Sequence, residues 1–194
     1  GWSGDLKAVA LNPDTGVAGT ASDWPAQATA ASLLDARPWA TRVIATRMGG
    51  SAMALASAGA AVNPTNSFGA TAALMNYLRG DRTNEGSVYR ARKSLMGAII
   101  NAEPVVDRDS GVVYVASGEG MLHAFDTQGA DGGKELWAYV PQPVLANMGQ
   151  TAMPGYEFHS RLDGSPAIGQ SSATTRVLVA GMGGAGRGYY GIDV

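Results

Sequence analysis

A glycine-rich string near the end of the sequence has the spacing of a nucleotide-binding loop. Residues 181–186 read GMGGAG and follow the apolar run 177–179. The spacing G-x-G-x-x-G holds a dinucleotide pyrophosphate where a strand leads into a helix. A helix must therefore follow, but residues 187–194 (RGYYGIDV) contain two further glycines and alternate as a strand does. We predict a hairpin with a glycine turn at this position, and no cofactor-binding residue.

The two histidines are the remaining candidates for metal or catalytic chemistry. His123 falls in the middle of a predicted strand, and we interpret it as a structural histidine. His159 lies in a predicted exposed loop near Glu157, Arg161 and Asp163, and the alternative is a polar cluster that binds a ligand. The chain has no cysteine, which excludes disulfides, thiolate metal sites and a cysteine nucleophile. It also has no Gly-x-Ser-x-Gly elbow, so we predict no catalytic residue.

The tripeptide RGD at residues 79–81 is an integrin-recognition string in some adhesins. We predict instead that Arg79 ends a helix, that Gly80 follows it at the C′ position, and that Asp81 begins the exit turn. Five basic residues in this region form a modest positive stretch: Arg79, Arg82, Arg90, Arg92 and Lys93. We expect a solvated connection there, and the alternative is a docking surface for an acidic partner.

Composition limits the possible classes of protein. The 194 residues include 27 glycines and only 15% charged residues, which suits an all-β domain with many tight turns. The net charge of −2 without a basic block argues against a general nucleic-acid binder. No apolar run is long enough to span a membrane, and no signal-peptide pattern is visible. The strand-like pattern at both ends leads us to expect a piece of a larger protein.

Periodicity predicts short strands and one helix. We predict strands at 2–11, 41–47 and 52–56, with a turn at NPDTG (12–16) between the first two. Apolar residues spaced by three and four predict a helix at about 67–79, with Thr65 or Ser67 as its N-cap. From residue 95 onward the pattern repeats: residues 101–126 can be aligned with residues 162–193, each as strand, turn, strand, glycine turn, strand.

Repeated units of this kind predict an all-β fold, specifically a fragment of a quinoprotein-like β-propeller. About three blade-like units are expected, at roughly 1–60, 95–141 and 162–194. A helical insertion and linker at 64–94 contains the helix near 67–79. Residues 124–141 resemble the blade pattern of quinoprotein-like propellers, in which an Ala-x-Asp, a Gly-Lys turn and a tryptophan follow one another. The matching residues are Ala124, Asp126, Gly133, Lys134 and Trp137.

Several strings occur together and in a characteristic order: GWSGDLKAVALNPDTG, MNYLRGDRTNEG, VYVASGEGMLHAFD, DGSPAIG and VLVAGMGGAGRGYYGIDV. On these strings the chain strongly resembles the propeller domain of PilY/PilC-type proteins, the tip-associated adhesins and biogenesis factors of bacterial type IV pili. The resemblance covers nearly the whole chain and is weakest over about 19–60. It departs at ASGEG (116–120), where the family usually has Gly-Ala-Asn-Asp-Gly, and at Gly191, where alanine is usual.

The resemblance implies a non-enzymatic module that supports pilus extension, opposes retraction and promotes attachment to surfaces. It implies a location at the bacterial cell surface, associated with the outer membrane and the pilus tip, after export through the periplasm. The implied partners are pilin or minor pilins, other pilus assembly proteins, and host surface receptors. Nucleic acid is not an expected partner, and no membrane-spanning segment is expected.

The resemblance also implies a calcium loop of the Asp-x-Asp-x-Asp-Gly type in the parent domain. The nearest string is DRDSG (107–111), which lacks the third acidic position and the distal bidentate carboxylate. We predict a hairpin turn between Val106 and Val112, no metal site, and only weak metal candidates in Asp107 and Asp109. The alternative function is a quinoprotein enzyme that binds pyrroloquinoline quinone and calcium, and the lack of cysteine for a vicinal disulfide counts against it.

Overall fold

Two β-sheets organise the computed structural model, which describes residues 2–172 and 175–194. The strands are β1 (Ile44–Met48), β2 (Ser51–Ala54), β3 (Val105–Asp107), β4 (Val112–Ser117), β5 (Met121–Asp126), β6 (Glu135–Val140), β7 (Pro166–Gln170), β8 (Arg176–Gly181) and β9 (Tyr189–Asp193). The α-helices are α1 (Ala30–Ala36), α2 (Gly59–Val62), α3 (Thr71–Arg79) and α4 (Gln142–Met148). Short 3-10 turns lie at Pro25–Gln27, Trp39–Thr41, Leu55–Ser57, Gly129–Asp131, Gly149–Ala152 and Gly183–Ala185.

The larger sheet has six strands in the order β2-β1-β6-β5-β4-β3, and the smaller has three in the order β7-β8-β9. β3 to β6 form an antiparallel meander in which each strand pairs with the next. β1 adds to this meander in parallel with β6, and β2 pairs antiparallel with β1. Strands from the first two predicted units therefore share one sheet. The mainly β architecture agrees with the all-β expectation.

The central strands are buried on both faces, which explains their nearly continuous apolar sequences VVYVAS and MLHAFD. On one face, Tyr114 and Leu122 belong to a core that also includes residues of α2, α3, α4 and the smaller sheet. On the other face, Val115 and Phe125 pack in a second core with Trp24 and residues of α1. The larger sheet is thus the middle layer of the described structure.

Both glycine-turn predictions are confirmed. β3 and β4 form a hairpin in which Val106 pairs with Val113, and its turn ends at Gly111, which has a φ of +70°. β8 and β9 pair antiparallel, and only a three-residue 3-10 turn lies between them. The string at 181–186 therefore ends one strand and leads into the next, and the described residues contain no helix after it.

One prediction for the first third of the chain is wrong. Residues 2–11 form no strand, because their backbone bonds go to separate segments: Gly4 donates to Met96, and Ala30 donates to the carbonyl of Leu6. A sheet ladder needs successive bonds to one neighbouring strand. The NPDTG turn does form, with the Asn12 side chain accepting from two following amides. Helices α1, α2 and α4 were not predicted.

The predicted helix forms as α3, but it begins at Thr71 with Ala70 as its N-cap and no side-chain cap. The predicted N-caps are wrong, because the hydroxyls of Thr65 and Ser67 hydrogen-bond to each other in the preceding loop. Gly1, at the start of the first predicted unit, and residues 173 and 174, inside the third, lie outside the described residues. Within the described ranges, no helix combines the length and apolar character needed to cross a bilayer.

Candidate functional site

Four charged side chains form a buried cluster beside strands β5 and β6. Arg42 donates to both carboxylate oxygens of Glu135, each at 2.8 Å. His123 lies 2.8 Å from Glu135 through Nδ1 and 2.9 Å from Glu119 through Nε2. Ser117 completes the shell, with its hydroxyl 2.8 Å from Nε2 of His123. The chain of contacts alternates in charge, so the cluster is neutral when every member is ionised.

The contacts within the cluster favour the charged forms of His123, Glu135 and Glu119. Burial would lower the pKa of His123, but its hydrogen bonds to Glu119 and Glu135 outweigh that effect and raise the pKa to about 9. Burial would raise the pKa of Glu135, but the charge of Arg42 and the bond to His123 lower the pKa to about 2. Glu119 behaves in the same way: against the effect of burial, the bond to His123 lowers its pKa. His123 is therefore a protonated structural histidine.

The tight turn between β4 and β5 places Glu119 at the end of these two strands. The Gly120 amide donates to the Ser117 carbonyl at 2.9 Å, and Gly120 has a φ of +103°, which glycine adopts readily. Gly118 is needed for space: a Cβ there would lie 2.8 Å from the ring of Phe158. The sequence SGEG thus allows an aromatic side chain to pack directly on the turn.

A small cleft opens beside this turn, with a volume of about 170 Å³. Its aromatic wall consists of Trp2, Tyr156 and Phe158, and the Trp2 and Phe158 rings stack at a centroid distance of 5.0 Å. Arg90 and Glu119 supply its charged groups. A second depression of about 40 Å³ shares these two residues and adds others, among them Arg92 and Lys93. The combined lining of rings and cations suits an anion with an apolar body.

The acidic candidates lie elsewhere, at the contact between the two sheets. Asp107 accepts from the Asp109 amide at 3.1 Å and from the Ser110 hydroxyl at 2.8 Å. Arg176 of β8 forms ion pairs with both carboxylates, Asp107 and Asp109. The bond to Arg176 is the main reason that the pKa of Asp107 is lowered to about 2.

This donor set does not fit a calcium loop, because a guanidinium already occupies the position between the two carboxylates. In the part of the chain that the structure describes, no three His, Asp or Glu side chains are grouped as metal ligands would be. Asp107 and Asp109 instead connect the β3–β4 turn to the smaller sheet. Their carboxylates act here as ion-pair partners of one arginine.

The RGD string ends α3 as predicted. Gly80 follows Arg79 with a φ of +123°, and the amides of Gly80 and Asp81 both donate to the Asn76 carbonyl. The Arg79 guanidinium lies 5.1 Å from the Trp39 ring, and the Asp81 carboxylate accepts from Thr83. All three residues are thus engaged in local structure.

The basic stretch divides into paired and unpaired cations. Arg82 pairs with Asp35 and Glu85, and Arg92 pairs with Glu85. Arg90 and Lys93 form no ion pair with any residue of the two described ranges. Arg90 lines both the cleft and the adjoining depression, and Lys93 lines the depression. If this stretch is a docking surface for an acidic partner, Arg90 and Lys93 are the cations available to bind it.

The loop containing His159 also borders this region, although His159 itself is exposed. Its backbone amide and carbonyl bond to the Tyr156 hydroxyl, at 3.1 and 2.8 Å. Arg161 lies over the Tyr156 ring at 5.7 Å and donates to Gln150 at 2.7 Å. The interpretation of His159 as an exposed loop residue is confirmed. The loop instead contributes Tyr156 and Phe158 to the aromatic wall of the cleft.

Sequence reasoning missed both the buried cluster and the cleft. In the sequence, Glu119 stands out only as part of a departure from the usual turn, although a carboxylate four residues before a histidine is a usable signal. Arg42 and Glu135 are 93 residues apart in sequence, so no local pattern connects them. Trp2 and Phe158 are far apart in the sequence, and only the fold brings them together.

The described structure is thus a β-sheet module with a buried charged cluster and an aromatic, cationic cleft at one turn. Comparison with curated proteins identifies relatives named type IV pilus biogenesis factor PilY1 or its homologue. Two homologues from Xylella fastidiosa are 33% and 32% identical, over 62% and 64% of this chain. PilY1 from Pseudomonas aeruginosa strain PAK is 30% identical over 61% of this chain. The predicted resemblance to PilY-type proteins is confirmed.

The chain spans only 11–13% of the length of these relatives. No protein-family model matches the chain. No solved structure matches it. The similarity therefore concerns one segment of a much longer type of protein.

Proposed function

We propose that this chain is a module of a type IV pilus biogenesis factor. The observation that supports this proposal is the similarity to several PilY1 proteins over 61–64% of the chain, at 30–33% identity. The order of the motif strings along the sequence agrees with it. The module acts in pilus assembly, supporting extension and opposing retraction, and it contributes to surface attachment.

In this proposal the module is part of a β-propeller. The antiparallel meander β3 to β6 is a four-stranded unit, and β7 to β9 repeat its first three strands in the same order. That repetition is what supports blade-like units at 95–141 and 162–194. The unit at 1–60 is the least regular, since its strands β1 and β2 join the sheet of the second unit.

The module is non-enzymatic and works at the bacterial cell surface, associated with the outer membrane and the pilus tip. Its partners are pilin or minor pilins, other assembly proteins and host receptors. Calcium, if the parent domain uses it, binds outside the pair Asp107 and Asp109, whose carboxylates are taken by Arg176. Adding pyrroloquinoline quinone and calcium to the chain should give no dye reduction, whereas reduction would support the enzyme alternative.

The direct test is a deletion of the segment that encodes this chain in the organism that produces it. We expect loss of surface pili and of pilus-dependent surface movement, while export of the remaining protein is unchanged on immunoblots. A matched strain carrying only Arg187→Gln, a change at an exposed turn residue, should keep normal pili. Normal piliation in the deletion strain would contradict the proposal.

A further inference from the structure

The cleft beside the β4–β5 turn combines an aromatic wall with a cationic group. One wall is aromatic, formed by Trp2, Tyr156 and Phe158. The Trp2 side chain is 67% exposed although it stacks on Phe158. An exposed indole offers a large apolar area and a ring face for offset or edge-to-face stacking. The wall is therefore suited to a flat apolar group.

Arg90 is fixed in position at this wall. Its backbone amide donates to Ala152 at 2.8 Å, and its Nε donates to the Thr151 carbonyl at 3.0 Å. Its guanidinium lies 5.5 Å from the centroid of the Tyr156 ring. Its two terminal amino groups have no hydrogen-bond partner among residues 2–172 and 175–194. A guanidinium held in this way presents a preorganised pair of donors, the arrangement that recognises a carboxylate.

The charge balance around the cleft is positive. Glu119 is neutralised through Oε1 by the protonated His123, at 2.9 Å. Its Oε2 is buried against Gly97 and makes no hydrogen bond of normal geometry within the described chain. Its carboxylate is therefore not free to bind a cation from solution. Arg90 and Lys93 remain without a counterion in the described ranges, so an anion is the favoured ligand.

The size of the cleft limits the ligand. A cavity of about 150 Å³ holds one benzene ring, and this cleft has a volume of about 170 Å³. We propose that the cleft binds a carboxylate attached to one ring-sized apolar group, with the ring between Trp2 and Tyr156 and the carboxylate on Arg90. Lys93 adds long-range attraction at the rim. The source is either a free aromatic acid or the carboxyl end of a protein chain.

The test is a titration of the ¹⁵N-labelled 194-residue chain, following the Trp2 indole and Arg90 Nε–H signals by NMR. Three probes share one ring: phenylacetate, phenylacetamide and phenethylamine. We expect saturable binding of phenylacetate that is about tenfold tighter than that of the amide, as charge-assisted bonds predict, and no binding of the amine. A dipeptide ending in a free phenylalanine carboxylate distinguishes the two sources. Tighter binding of the dipeptide than of phenylacetate indicates the carboxyl end of a protein chain, and the reverse indicates a free aromatic acid.

Matched variants locate the site. Arg90→Gln should weaken phenylacetate binding by about tenfold, while Arg187→Gln, which removes the same charge from an exposed turn, should leave it unchanged. If Arg90→Gln unfolds the chain, two variants at exposed positions test the proposal instead. Trp2→Leu and Lys93→Gln should each weaken phenylacetate binding several-fold. Equal affinity for the amide, preference for the amine, or absence of saturation at millimolar phenylacetate would overturn the proposal.

Discussion

The β4–β5 and β8–β9 hairpins share one sequence pattern but are stabilised by different chemistry. Both are antiparallel, and both join their strands through a glycine-rich turn. In the first, Glu119 and His123 are part of a buried charged cluster. At the aligned positions of the second hairpin stand Met182 and Tyr190, which belong to or pack against an apolar core.

The surroundings of the two hairpins explain this difference. Strands β4 and β5 lie in the middle of the large sheet and are covered on both faces. Strand β9 lies at the edge of the small sheet, where Tyr189 is 86% exposed. Opposite charges attract more strongly where water is excluded, but a single unpaired charge there is costly. The first hairpin therefore depends on a complete set of buried charges, whereas the second has apolar contacts at the corresponding positions.

The largest expected effect comes from breaking the charged cluster. Glu135→Gln removes the carboxylate that Arg42 and His123 share, so the buried Arg42 loses its ion-pair partner and His123 keeps only Glu119. We expect a loss of about 3–5 kcal/mol in the free energy of unfolding, measured by urea denaturation. Asp131→Asn breaks the exposed pair with Lys134 and should cost less than about 1 kcal/mol. Similar losses in the two variants would contradict the account.

The pH dependence of stability sharpens the comparison further. The pKa of His123 rises from 6.5 to about 9 on folding, so its contribution is complete below pH 6.5 and is lost as the pH rises through 9. We expect the free energy of unfolding to fall by roughly 3 kcal/mol over this interval. Glu135, whose pKa falls from 4.5 to about 2, contributes above pH 4.5 and loses its contribution as the pH falls through 2.

Two histidine variants provide the control for that pH series. His123→Gln should abolish the decline between pH 6.5 and 9, whereas His159→Gln, at an exposed loop position, should preserve it. A wild-type stability that stays constant across this interval would show that His123 is not held protonated by the cluster.

A smaller effect is expected from the glycines of the two turns. A Cβ at Gly118 would lie 2.8 Å from the Phe158 ring, whereas a Cβ at Gly186 would meet nothing within 4 Å. Gly118→Ala should therefore cost about 1–3 kcal/mol. Gly186→Ala should change the unfolding free energy by less than about 0.5 kcal/mol. Equal costs in urea denaturation would mean that Phe158 does not pack on the first turn.

Much of the strand pattern could be predicted from the sequence. The paired apolar runs and glycine turns after residue 95 indicate β3 to β9, because a strand and its turn are determined by neighbouring residues. The end of α3 at Gly80 can be predicted for the same reason. The first segment, 2–11, resembles a strand in sequence, but its alternation reflects the packing of Leu6 and Ala8 against one core rather than strand pairing.

The candidate site could not be predicted in the same way. The cluster joins Arg42 to Glu135 across the parallel pairing of β1 and β6, and no sequence rule anticipates that pairing. The cleft depends on Trp2 reaching Phe158, which requires the whole intervening chain to be folded. Local patterns specify elements, whereas long-range contacts specify the site.

Hydrogen exchange by NMR tests the central contrast most directly. Strands β4 and β8 are matched, because each lies between two neighbouring strands of its sheet. The amides of Val113 and Val115 should exchange more slowly than those of Val177 and Val179, and Glu135→Gln should reduce this difference. Equal exchange of the two strands in the unmodified chain, or slower exchange of β8, would contradict a special role for the charged cluster.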